Sequence, residues 1–428
     1  MFHKRTRSTR LAVTAITAVA ALALTGCAAS GGDAGKSDSN EKVTLNFTWW
    51  GNDDRATKYN DAIALFEEEN PNISINGTFT DYPSYWEKRT TEGAGGGLPD
   101  VMQFDYSYLR EYGERGLLLD LTDTDIDTSG IEKSVLQTGQ LDGQTFALAT
   151  GTNSWALFQN VDLLTSVGAE EYAGGTDWAD YDSFIADVTA KGNGTVYGGT
   201  DYTQRIQMFE LWLRQQGKDL FTEDGEINFT EKELTKFWES GADIRDGAGI
   251  PQQRLEELNP MSGLGAGEAA SETSWDNFLA GYLGDSGATS ISMVAPPTSD
   301  DSVKDLYLKP ALQMAASAST KHPDAAATFI DFMINNEEVG AIFGASRGIP
   351  ASETQREGAG LEGADAQVSE YEDTIADRIG DAPPVPVIGY GAIEQDFWDL
   401  GKSIGLGAVT VEDAVKQFFD ETSITLGN

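Results

Sequence analysis

The sequence predicts an α/β protein built as two domains. Three observations carry that expectation. Residues 43 to about 150 alternate strand-like and helix-like segments. A helix-rich stretch with a few isolated strand-like runs follows. The chain beyond its polar leader is about 385 residues long, more than one core usually supports.

The alternation can be read segment by segment. "VTLNFTWW" is a strand, and "RATKYNDAIALFEEENP" is a helix with Tyr59, Ala62, Ile63 and Phe66 on one face and Pro71 beyond its end. "ISINGTF" is a second strand, "YPSYWEKRTTEGAGGG" a helix running into glycines, "PDVMQFD" a third strand and "SYLREYGERG" a third helix closed by Gly116. This β-α-β-α-β-α order is that of a parallel sheet covered by helices on both faces. Ligands bind such sheets at the carboxyl ends of the strands. The loops of interest are therefore "GNDDR" after the first strand and "DYSY" after the third. "GQTFALATGTNSWALFQNVDLL" holds two strand-like runs around Gly151. The helices "WADYDSFIADVTAKG", "TQRIQMFELWLRQQG" and "TEKELTKFWESGADIRDG" follow, the last opening on a Thr230/Glu233 capping box. "TSISMVAPP" is a strand. "KHPDAAATFIDFMINN" and "TVEDAVKQFFDET" are amphipathic helices.

The ends and the composition bound the function. Lys4, Arg5, Arg7 and Arg10 precede fourteen apolar or small residues, "LAVTAITAVAALAL", as in a signal peptide spanning residues 1–26. "LTGC" resembles the lipobox of bacterial lipoproteins, which implies cleavage before Cys27 and a diacylglycerol on its sulfur. Residues 27–42 are small and polar, a tether. Cys27 is the only cysteine, so no disulfide, thiolate metal site or cysteine nucleophile is available. Beyond the leader only His322 remains of two histidines, which excludes a multi-histidine metal site and disfavours a Ser-His-Asp hydrolase. Neither a metal nor another cofactor is expected. The net charge of −40 falls to −44 once the four leader cations are removed. That field repels nucleic acid and favours neutral or cationic ligands. No local basic pocket is visible in the sequence.

The order of segments resembles the family 1 extracellular solute-binding proteins of ABC importers, above all carbohydrate binders related to maltodextrin-binding proteins. The elements that carry the resemblance are "WWGNDDR", "FEEENPNI", "GGGLPDVMQFDYSYLREYGERGLLLDLT", "GQTFALATGTNSWALFQNVDLL", "GEAASETSWDN", "STKHPDAAATFIDFMINNEE" and "SRGIPAS". The resemblance implies a two-lobed periplasmic-binding-protein fold of type II, with a hinge crossed three times, near 147–150, 272–275 and 310–315. Lobe one would be residues 43–148 and 275–311, lobe two 151–272 and 315–428. It further implies a monomeric, non-catalytic subunit. This subunit would be tethered to the outer face of the membrane by its lipid alone, binding a neutral carbohydrate and delivering it to permease subunits. A secreted glycoside hydrolase, which needs two carboxylates at a set separation, and a binder of a peptide or polyamine are the alternatives.

A sugar offers an apolar C–H face to an aromatic ring and a rim of hydroxyls to charged or amide groups. Trp49 reads as core and Trp50 as edging the cleft. Asn52, Asp53 and Asp105 match ligand positions of the family, with Tyr106 beside the last. Asn153 reads equally as a contact or a turn. Tyr202 and Gln204 precede a helix at the depth of an aromatic contact in relatives. Trp275, with Asp276 and Asn277, matches a stacking tryptophan and interrupts a run of small residues. Arg347 precedes "GIP" in a cleft-facing loop, and Tyr390 is a last aromatic platform. Trp398, Trp86 and Trp238 read as helix-face core. "SETSWDN" is more polar than the family pattern.

Overall fold

A computed structural model describes residues 42–300 and 302–427. The leader, Cys27 and the tether as far as Glu41 lie outside those residues. The strands that carry the fold are β1 (Val43–Trp50), β2 (Ile73–Thr80), β3 (Val101–Phe104), β4 (Gln140–Leu141), β5 (Gln144–Thr145), β6 (Ala147–Asn153), β7 (Trp155–Asn160), β8 (Ser271–Trp275), β9 (Ile291–Val294), β10 (Lys309–Ala316) and β11 (Ile349–Pro350). Six of them form one sheet in the order β11-β6-β10-β3-β1-β2, three form a second in the order β8-β7-β9, and β4 and β5 make a small hairpin.

In the first sheet the helices Asp53–Glu69 and Tyr82–Gly95 carry the chain between parallel strands β1, β2 and β3, as the alternation predicts. Strand β10 then enters antiparallel between β3 and β6, so the sheet is mixed rather than wholly parallel. Because both faces are covered at its carboxyl end, β1 is buried without a break from Phe47 to Trp50, while Thr44 and Asn46 nearer its start are exposed. Trp49, 1% exposed, packs with Phe47, Tyr59 and Phe79. Trp50 points to the other face, against Tyr82, Tyr85 and Trp86 of the second helix. The two adjacent rings thus anchor opposite layers.

The segments divide between the sheets differently from the expected lobe boundaries. Gly151 lies inside β6, and the passage to the second sheet is the single residue Ser154. Strand β9, expected with the first lobe, pairs with β7. Strand β10, where a crossing near 310–315 was expected, lies wholly in the first sheet, and the helices Pro323–Asn335 and Glu337–Phe343, expected with the second lobe, pack on the helix Asp53–Glu69. The chain leaves the first sheet again after the helix Glu353–Gly358, because the helix Gly363–Thr374 packs on β9 and on the helix Leu279–Ser286. No passage occurs near 272–275, where β8 stays in the second sheet. Residues 382–387 also touch the first half: Arg110 Nη2 donates to Val385 O at 2.9 Å, and Ala382 N donates to Gln137 Oε1 at 3.2 Å.

Ser154 is fully buried and every polar group on it is used. Its N–H donates to Asp276 Oδ2 at 2.6 Å, its carbonyl accepts from Asp276 N at 2.9 Å, and its hydroxyl donates to Tyr307 O at 3.2 Å. Beside it, Thr152 Oγ1 donates to Glu372 Oε2 at 2.9 Å, and Tyr371 OH donates to Trp155 O at 2.6 Å. Two glycines let backbones close here. A Cβ on Gly151 would lie 2.3 Å from Arg347 O. Gly348, at φ +89°, would meet Ala311 Cβ at 2.6 Å.

Asp276 and Glu372 are buried carboxyls that act on each other. Burial, then the charge of Glu372, pushes Asp276 well up; burial pushes Glu372 up to about 7 against the Thr152 hydrogen bond. Glu210, buried beneath Tyr307 and only partly offset by Arg214, is also pushed up to about 7. A carboxyl whose native pKa is raised holds its proton more tightly folded than unfolded. Its contribution is complete below the unfolded value, near 4.5, and is lost as pH rises through about 7. The midpoint of thermal unfolding should therefore fall from pH 5 to pH 8, and Glu372→Gln should flatten that fall; an unchanged slope in the variant would contradict the buried-pair account. Trp49→Ala should cost about 3–5 kcal/mol in denaturant unfolding, and a loss below about 1 kcal/mol would contradict its place in the core.

Candidate functional site

Three cavities open around the turn that leaves β8. The first, about 380 Å³, lies under the carboxyl ends of β1, β3 and β6 and is walled by Trp50, Arg55, Asp105, Asn153, Asn277 and the loop at Arg347. The second, about 460 Å³, is walled by Gln204, Arg205, Glu272, Trp275 and Trp398. The third, about 100 Å³, lies between Tyr106, Trp275, Tyr307, Lys309, Tyr390 and Glu394. Trp275 borders the second and third, and Asn277, two residues on, borders the first.

Trp275 is held by its strand. It pairs with Trp155 across β7, and the two rings meet edge to face at 5.1 Å. Its own ring is half-buried, and Lys309 Nζ lies 4.9 Å from the ring centroid. The Trp155 indole is fixed by a hydrogen bond to Met208 Sδ at 2.9 Å. Trp275 is therefore a braced, half-buried ring that carries Lys309 Nζ over it and borders two of the cavities.

On the first-sheet side, Trp50 is 8% exposed and borders the first cavity. Asp105 caps the short turn after β3. Its Oδ1 accepts from Ser107 N at 2.9 Å and its Oδ2 from Tyr82 OH at 3.3 Å. Asn153 is buried with Oδ1 unpartnered. Arg347 is 3% exposed, its guanidinium carbon 3.7 Å from the centroid of Phe343. Nη2 of Arg347 donates to Met333 O and Gln355 Oε1, each at 3.3 Å, while Nε and Nη1 are buried without partners.

Four predicted positions fall elsewhere. Asn52 Oδ1 accepts from Arg55 N at 3.0 Å as the cap of the helix that Asp53 begins, and neither residue lines a cavity. Both are exposed at the helix start, and their effect on the cavity is to place Arg55 there. Tyr202, 1% exposed, lies in the core against Trp178, Tyr181 and Phe237, with its hydroxyl bonded to Asp182 at 3.0 Å. Asp276 faces Ser154, not a cavity, because the buried backbone there needs its oxygen. Of the others, Gln204 borders the second cavity through a bond to Gln252 Oε1 at 2.8 Å. Tyr106 and Tyr390 border the third, Tyr106 donating to Pro383 O at 3.5 Å.

The structure also adds residues the sequence reading passed over. Arg55 borders the first cavity; Arg205 stacks on Trp398 at 3.7 Å in the second; Tyr307, Lys309 and Glu394 border the third. Trp398, expected in the helix-face core, is instead half-buried on the second cavity, and the sequence held a signal for that. Ile393, Phe397 and Leu400 make the buried stripe of its helix, and Trp398 lies off it, one turn from Glu394 and from Lys402, both on the second cavity. Trp86 and Trp238 are buried, as read.

None of the helices among the described residues is long and apolar enough to cross a membrane. Comparison with known proteins adds a family to this geometry. Residues 61–368 match the family described as bacterial extracellular solute-binding protein. An extracellular solute-binding protein family 1 from Alicyclobacillus acidocaldarius is similar over 91% of this chain and 100% of its own, with 28% identity and a TM-score of 0.77. A periplasmic oligogalacturonide binding protein from Yersinia enterocolitica shares the fold over 90% of this chain and 99% of its own, at 20% identity and a TM-score of 0.77. So does an ABC substrate-binding protein from Listeria monocytogenes solved with cycloalternan, over 90% and 100%, at 19% identity and a TM-score of 0.71. With two sheets joined at Ser154, cavities ranged along the junction and a family match across most of its length, this chain belongs to the bacterial extracellular solute-binding proteins of the ABC-importer type.

Proposed function

We propose that this protein captures an oligosaccharide between two lobes, one on each large sheet, and delivers it to the permease of an ABC importer. A lipid on Cys27 would hold it at the outer face of the cytoplasmic membrane. The observation that carries the reading is Trp275, a braced, half-buried ring that borders both the second and the third cavity. A pyranose can stack its C–H face on that ring. Groups suited to hydroxyls line the same junction: Gln204 and Glu394 share cavities with Trp275, and Asn153, Asp105 and Asn277 line the first cavity. The spread of these groups over three cavities favours a chain of sugars over a single ring. Solved proteins of the same fold are described as binding oligogalacturonide or as complexed with cycloalternan, which supports the class.

The work is capture, without a catalytic step. Ligand would favour the closed arrangement only by its greater affinity for it, with hinge motion about the passages between the sheets.

A thermal-shift screen against mono- and oligosaccharides tests this directly. A ligand at 100 times its dissociation constant stabilises by about 2.7 kcal/mol, so an oligosaccharide should raise the midpoint, and silence from every sugar would sink the carbohydrate reading. Trp275→Ala should weaken the best ligand about thirtyfold, some 2 kcal/mol, with the unfolding midpoint little changed. Global unfolding instead would make the ring a core residue.

A further inference from the structure

The chain carries a large excess of acid, so its arginines should all find carboxylates. Eleven arginines lie among the described residues, and nine of them have a carboxylate oxygen within 4.0 Å: Arg89, Arg110, Arg115, Arg205, Arg214, Arg245, Arg254, Arg356 and Arg378. The two without one are Arg55 and Arg347, and both border the first cavity. In a protein with a net charge of −40, two guanidiniums left unpaired at one place call for an explanation.

Their protein partners are neutral. Arg55 donates to Trp50 O at 3.4 Å and Ser346 O at 3.3 Å, and Arg347 to Met333 O and Gln355 Oε1. A guanidinium has five N–H donors, so both have donors to spare. Some compensation comes from the C-terminal carbonyls of the helix Pro323–Asn335, which Arg347 reaches at Met333. Half a charge at a helix end does not neutralise two cations. Burial, and in lesser part the charge of Arg55, push the Arg347 guanidinium down, against the Tyr59 hydroxyl. Two carboxylates also border the cavity. Asp105 has both oxygens engaged by Ser107 N and Tyr82 OH, and Asp365 is exposed on the helix Gly363–Thr374; neither reaches an arginine.

We propose that the first cavity is an anionic subsite, in which Arg55 takes a carboxylate of an acidic sugar while Arg347, buried behind it, supplies a second positive charge. The acidic oligosaccharide would thus complete the ion pairing that the chain leaves open. Arg55 is the direct contact because it is only half-buried and its guanidinium edge is held by two carbonyls. Trp50 and Asn153, on the same cavity, would take the apolar face and a hydroxyl of the same ring. The sequence reading saw no basic pocket because Arg55 and Arg347 are nearly three hundred positions apart.

The inference rests on the sugar-binding reading, and the test separates the two. Calorimetric titration of the full protein with digalacturonic acid and with its neutral dimethyl ester, at low and high salt, gives a ratio of affinities. The acid should bind at least about tenfold tighter than the ester, lose affinity with salt, and lose that preference in Arg55→Gln. Equal affinity for acid and ester, or a preference unchanged in Arg55→Gln, would overturn the subsite. Binding of neutral maltotriose with no binding of the acid would overturn it and leave sugar capture standing. Absence of binding by every sugar would overturn both. Arg347→Gln is a second variant with the same expectation; should it not fold, Arg55→Gln decides, its folding checked by an unchanged unfolding midpoint.

Discussion

The arrangement depends on one buried peptide. Strand β6 of the first sheet and β7 of the second are separated by Ser154 alone, so the two sheets cannot be placed independently. Two other chain segments close onto that residue, Asp276 from the end of β8 and Tyr307 from the approach to β10. A buried backbone group without a partner is costly, and this one is satisfied only while all three segments meet. The constraint explains why Asp276 is buried next to Glu372 despite the cost of placing two carboxyls together. It also explains why Trp275, the residue before Asp276, is presented so rigidly at the junction.

From that point the binding surface follows. The carboxyl ends of β1, β3 and β6 face the junction, as the open-sheet rule requires, and bring Trp50, Asp105 and Asn153 to one cavity. The second sheet contributes its helix Tyr390–Gly405, whose off-stripe residues Glu394, Trp398 and Lys402 face the next cavity. Charge is distributed unevenly along this surface. Unpaired arginines stand at the first cavity, whereas Lys309 borders the third together with Glu394, and Asp219 there is paired with Arg214.

Much of this was legible in the sequence, for local reasons. β1 to β3 and their helices follow from periods of 2 and 3.6 that neighbouring residues set. Alternation puts Trp49 and Trp50 on opposite faces, but on a sheet covered on both faces it does not say which ring is buried, and both are. Trp275 stood out because no periodic pattern explained it. The misreadings came from long-range facts. The antiparallel entry of β10 and the pairing of β9 with β7 depend on partners over a hundred residues away, so the lobe boundaries drawn from the resemblance fell in the wrong strands. Tyr202 looked like a loop aromatic, yet it fills a core built by Trp178, Tyr181 and Phe237. Asn52 and Asp53 looked like ligand groups, but a polar residue before a helix is as readily a cap, and the capped helix carries the arginine. Asp276 could not be told from Asn277 by type; burial at Ser154 separates them.

The central claim is that ligand draws the two sheets together about Ser154. Electron-electron distance measurement tests it most directly. Spin labels would be placed at Asp54→Cys, on the first-sheet side, and Glu257→Cys, beside the second cavity, with Cys27 replaced by serine to leave two thiols. The account predicts a distance distribution that shortens and narrows when a binding oligosaccharide saturates the protein. A distribution unchanged at saturation would contradict it.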